Sequence, residues 1–238
     1  MNVHHQEIFE IILANIGIAT HHTFSDSYLG NNHVKYAIGA PVMRLIAKEW
    51  MREHQNMHAS DFQKLITSLV KAKSSIEKMM AGMLLDVSRT QQRNFKPVIF
   101  DKWLNCVEGW AQVDTLCTGA YTVDEVPRQW TEWKKLLGKF SKSNNINKRR
   151  ASLVFLCSPI RTHADKSMAD VALANISQLK QEKEILITKA ISWLLRSMVK
   201  HHKKLVTDYI VRNKSSLPAI AVRETLIKVK TGKKSGKL

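Results

Sequence analysis

The chain has 238 residues and a mass of 27.2 kDa, enough to bury roughly 70% of the surface its unfolded form exposes. With 44% apolar and 24% charged residues and no run of 18 apolar residues, the composition excludes both a disordered chain and a membrane-spanning helix. Nine glycines and five prolines are too few for an all-β sandwich or barrel, whose turns recur every 8–12 positions. The net charge of +17 is one-sided: residues 1–130 carry 13 basic and 13 acidic side chains, residues 131–238 carry 24 basic and 7 acidic ones. A field of that kind attracts a polyanion, namely nucleic acid, an anionic surface or an acidic protein.

Apolar residues recur every three or four positions in short stretches, which is the signature of amphipathic helices. In chain order the pattern predicts helices over Val3–Asn15, Pro41–His54, Ser60–Lys71, Ser74–Arg89, Pro97–Cys106, Asp124–Leu137, Asn147–Cys157, Lys166–Leu179, Lys183–His201, Lys203–Asn213 and Leu217–Lys230. Pro41 and Pro97 suit a first helical turn, and Ser60 before Asp61 reads as an N-cap. Short helices with tight connections and no strand alternation predict an all-α fold, a superhelical solenoid of HEAT-like helical hairpins with a concave basic groove; a globular helical bundle is the alternative. Residues 1–230 are expected to form one helical-repeat domain and 231–238, with Lys233, Lys234 and Lys237, a basic disordered tail.

Cys106, Cys117 and Cys157 form no C-x-x-C pair and no secretory signal follows Met1, so a reducing, cytoplasmic setting is expected. Among ten histidines, the doublets His4-His5, His21-His22 and His201-His202 place adjacent rings on diverging sides of a helix. His54 and His58 have the i,i+4 spacing of a metal pair, but no H-E-x-x-H pattern or third ligand accompanies them, so neither a metal nor a cofactor is expected.

Three constellations carry the functional signal. Between Lys134 and Ala164 stand eight basic residues and no acidic one. Within that stretch Lys148, Arg149 and Arg150 open a helix where the macrodipole is already positive, a placement that suits a phosphate clamp or, more simply, a solvated basic turn. Trp110 and Asp114 stand four apart and share a face if their segment is helical, although Asp114 would also serve as a cap for a helix starting at Thr115. Lys189, Trp193 and Arg196 fall on one helical stripe, either a core indole with snorkelling cations or an aromatic wall facing DNA.

Trp110-x-x-x-Asp114, Arg149-Arg150-Ala151-Ser152 and Lys189-Ala190-Ile191-x-Trp193-x-Leu195-Arg196 stand in the order and approximate spacing of the AlkD-like DNA alkylation repair family, the helical-repeat DNA glycosylases. Tyr28-Leu29-x-Asn31 and Ile38-Gly39-x-Pro41-x-x-Arg44 resemble that family's N-terminal segment. The resemblance implies an enzyme that hydrolyses the N-glycosidic bond of N3- or N7-alkylated purines in duplex DNA; a groove that wraps DNA needs no partner subunit, so a monomer is expected, and the composition gives no membrane partner. The resemblance makes Asp114 similar to the family's catalytic carboxylate, Trp110 and Trp193 to its two indoles, and Arg150 to its phosphate-contacting arginine. Tyr28, Arg44, Lys148, Arg149, Lys189 and Arg196 would line the DNA-binding surface. Non-catalytic relatives that bind damaged or branched DNA supply the alternative, and retention of Asp114 beside Trp110 favours the enzyme.

Overall fold

A computed structural model describes residues 2–17 and 30–234. The described residues form twelve α-helices and one short 3-10 turn, with no strand; an isolated bridge joins Val34 to Ser74. The chain divides into two compact units, Met1–Tyr121 and Thr122–Leu238. The boundary nearly coincides with the charge step: the second unit carries 25 basic and 9 acidic residues.

The first unit contains α1 (Val3–Ala14), α2 (Ala40–Glu53), α3 (Ala59–Val70), α4 (Ser75–Val87), the 3-10 turn Thr90–Arg93, α5 (Ile99–Trp103) and α6 (Gly109–Cys117). Asn2 caps α1 by accepting from the backbone N–H groups of His4 and His5. α2 buries Met43, Ile46, Ala47, Trp50 and Met51, and α3 buries Phe62, Leu65, Ile66, Leu69 and Val70, the i, i+3, i+4, i+7, i+8 face that a half-covered helix requires. The N-cap of α3 is His58, so Ser60 lies inside the first turn and does not cap it. α4 opens with a capping box in which Ser74 and Glu77 satisfy each other's backbone N–H. The buried Lys78 ammonium donates to the Val70 and Cys106 carbonyls, satisfying the C-terminal end of α3 and the turn after α5 together. α1 packs on α2 and α3, and α4 packs on α2, α3 and α6.

α7 (Tyr121–Arg128) leads into the second unit, which continues with α8 (Trp130–Phe140), α9 (Ile146–Thr162), α10 (Lys166–Leu179), α11 (Ile185–Asn213) and α12 (Ala219–Thr231). α9 is its centre: every residue from Arg150 to Ile160 is buried, and the helix packs on α8, α10 and α11. α12 in turn covers α11. In both units a helix packs chiefly on helices one or two elements away, the order expected of stacked helical hairpins.

Two sequence expectations change here. The single helix expected over Asp124–Leu137 is two, broken at Gln129 (φ −120°, ψ 37°). Pro127 has no N–H to donate to the Val123 carbonyl, and His163, forty positions on, bonds that oxygen at 3.1 Å. Conversely, the helices expected on either side of His202 are one element bent at that residue (φ −127°, ψ 36°).

Candidate active site and nucleic-acid interface

α6 carries the first constellation, and its seating begins with two glycines. Gly109 starts the helix at φ 70°, a left-handed conformation that disfavours any side chain. On α4, Gly82 lies so close to α6 that a Cβ there would stand 2.2 Å from the Thr115 carbonyl oxygen. Only glycine permits that crossing. Gln112 pins the same helix from within: it donates to Ser75 Oγ at 3.1 Å and to His33 Nδ1 at 2.9 Å, and its carbonyl accepts from the Glu108 N–H at 2.8 Å. Burial, followed by the nearby Lys78 ammonium, holds the His33 imidazole below its usual pKa, which keeps the neutral ring that accepts from Gln112. Tyr121 donates to the Leu116 carbonyl, and Asp86 accepts from the Ala120 N–H, fixing the far end of α6.

With Ala111, Gln112, Val113, Leu116 and Cys117 buried, the helix turns Trp110 and Asp114 together onto a half-buried face. Asp114 sits mid-helix, and its carbonyl accepts from Thr118 Oγ1 at 2.7 Å, which disposes of the capping role. An indole and a carboxylate four positions apart on a rigid helix can offer a π face and a negative charge to the same bound group.

In the second unit the cations divide into two kinds. Arg149 forms a fork on Glu182, Nε to Oε1 at 2.7 Å and Nη2 to Oε2 at 3.2 Å, and its Nη1 donates to the Ser143 and Asn144 carbonyls, each at 2.9 Å. Arg150 is 5% exposed and donates to the Leu186 carbonyl. Arg196 pairs with Glu224 at 3.3 Å, while Ser192 bonds the same carboxylate at 2.6 Å. The local lack of acid around Lys134–Ala164 is thus corrected in space, because Glu182 arrives from the turn after α10. The opening turn of α9 is capped by the Asn145 side chain, which accepts from the Asn147 N–H. Lys189 is exposed on α11, Trp193 one turn on is half-buried, and Lys148 is half-exposed on α9. In the first unit Arg44 is exposed on α2.

Against known proteins, the profile of the DNA alkylation repair enzyme family matches residues 12–229, nearly the whole chain. The chain belongs to the DNA alkylation repair enzyme family. Among solved structures, a predicted DNA alkylation repair enzyme from Enterococcus faecalis superposes with a TM-score of 0.70, at 20% identity, over 87% of this chain and 93% of that one. The two share the fold. None of the curated proteins compared with the chain matches it.

Within this family member, the structure brings Trp110 and Asp114 onto one face of α6 and sets Lys189 and Trp193 one turn apart on α11. Arg149, Arg150 and Arg196 hold protein partners that they would exchange to reach a phosphate. Tyr28 lies outside the described residues. Sequence reasoning missed Gly82, Gln112 and Glu182. Gln112 left one trace, a polar residue at a buried phase of its helix; the other two act through contacts that local sequence does not encode.

Proposed function

We propose that the protein is a DNA glycosylase that hydrolyses the N-glycosidic bond of positively charged N3- or N7-alkylated purines in duplex DNA, with Asp114 as its essential carboxylate. The observation that carries this reading is the pairing of Trp110 and Asp114 on one half-buried face of α6 in a DNA alkylation repair family member. An alkylated purine cation is already a good leaving group. When the C1′–N bond breaks, the bonding electrons neutralise the departing base and positive charge develops on the sugar, as in glycoside hydrolysis. A carboxylate near C1′ stabilises that charge and positions the water whose oxygen bonds C1′, its proton passing to solvent. The Trp110 indole favours the cationic base by about 0.5–2 kcal/mol, and Trp193 is the second indole of the proposal. Arg44 and Lys189, both exposed, and the half-exposed Lys148 supply phosphate contacts in this proposal, and Arg149, Arg150 and Arg196 are further candidates.

The test is base release. Purified protein incubated with methylated duplex should liberate 7-methylguanine or 3-methyladenine and leave an abasic site. Salt-sensitive binding with no released base at enzyme excess would replace the glycosylase with a non-catalytic DNA-binding protein.

A further inference from the structure

Where the first turn of α1 meets the C-terminal end of α2, three side chains that are distant in sequence converge. His4 Nδ1 lies 3.5 Å from Glu7 Oε2, and His54 Nε2 lies 3.7 Å from the same oxygen. One ligand-type atom from each residue falls within 4.8 Å of the other two. A tetrahedral zinc ion with bonds of about 2.0–2.1 Å spaces its ligand atoms roughly 3.3–3.4 Å apart, so two of the separations are within a few tenths of an ångström of a bound geometry. We propose that His4, Glu7 and His54 form a binding site for a borderline divalent ion of the zinc class, with the fourth position left to water.

The surroundings of His54 supply the second, independent argument. Its Nδ1 donates to the Trp50 carbonyl at 2.9 Å, which fixes the tautomer that leaves the Nε2 lone pair facing Glu7 and His4. Ring-nitrogen donation to a backbone carbonyl is the usual outer-shell support of a metal-bound histidine. The Trp50 indole stacks on the His54 ring, centroids 3.8 Å apart and planes 11° from parallel, so the imidazole is also held against rotation. His4 meets both rings edge-on, at 5.7 Å from Trp50 and 5.2 Å from His54. All three ligands are partly exposed, which gives an ion a route in. Two imidazoles and a carboxylate suit zinc, cobalt or nickel better than magnesium or calcium, which take oxygen ligands almost exclusively. The i,i+4 pair His54 and His58 is not the site: His58 is the exposed N-cap residue of α3, and the partners of His54 come from α1. A bound ion would tie α1 to α2, independently of the residues proposed for base release.

Tag-free protein, stripped with a chelator and titrated with zinc chloride by calorimetry, should take up one ion per chain in the micromolar range or tighter. Glu7→Gln and His54→Gln should each weaken that uptake by about tenfold or more, whereas His58→Gln should leave it unchanged. Glu7→Gln keeps the shape of the side chain, so a folded variant is available even if His54→Gln unfolds. Cobalt chloride should give the intense visible absorption of a tetrahedral ion in the parent protein and lose it in Glu7→Gln. No saturable zinc uptake by the parent, or undiminished uptake by folded Glu7→Gln, would overturn the proposal.

Discussion

At Asp114 the proposed chemistry asks little of the protein, because the substrate brings its own positive charge and the enzyme need only answer the charge that appears on the sugar. The surrounding residues are accordingly spent on holding α6 still. Glu77 illustrates how firmly polar groups in this unit are held: the residue is 4% exposed, and its carboxylate bonds His5 at 2.8 Å and closes the α4 capping box with Ser74. Burial alone would raise the Glu77 pKa, yet the hydrogen bonds from His5 and Ser74 outweigh it and set the group below its usual range. A carboxylate with a depressed folded-state pKa contributes stability above its unfolded value, near pH 4.3, and loses it as the pH falls through the lower folded value. Urea unfolding of the parent protein should therefore show stability falling steeply below about pH 4.3. Glu77→Ala should flatten that fall and, at neutral pH, cost about 2–3 kcal/mol through the lost carboxylate half of the capping box and the partner lost from His5 Nε2.

Among the elements, the α4–α6 crossing matters most for the site. Gly82→Ala would force a methyl group into the backbone around Thr115, and overpacking against backbone has no flexible side chain to absorb it. It should destabilise the protein by about 3 kcal/mol or more by denaturant unfolding and displace Asp114, so that base release falls further than DNA binding does. Elements were largely legible in the sequence because each helix buries one periodic face: Lys166–Leu179 is found with both ends as expected, and the bend at His202 falls where a boundary was expected. The break at Gln129 was hidden because apolar periodicity runs through it, and the deciding events, the missing N–H of Pro127 and its replacement by His163, join residues far apart in sequence. The same reason hid Glu182 from the basic stretch and Glu7 from the histidines. Trp110 and Asp114 were legible because their relation is an i,i+4 spacing within one helix, which the sequence states directly.

At the scale of the molecule, the charge surplus belongs almost wholly to the second unit, and part of it is internal: Arg149 and Arg196 are neutralised by Glu182 and Glu224. The exposed cations should then dominate the salt dependence of DNA binding. Lys189→Ala and Arg44→Ala should each lower the magnitude of the slope of log K against log salt by about 1, measured by fluorescence anisotropy on an undamaged duplex. Among the described residues no helix is long and apolar enough to cross a membrane, and the polyanion that family membership points to is DNA. The central claim is that the Asp114 carboxylate provides the catalysis. Single-turnover release of 7-methylguanine from a methylated duplex, compared between the parent protein and Asp114→Asn, tests it most directly. The expected result is a loss of at least about 100-fold in rate with DNA affinity retained; an Asp114→Asn variant that releases the base at the parental rate would contradict it.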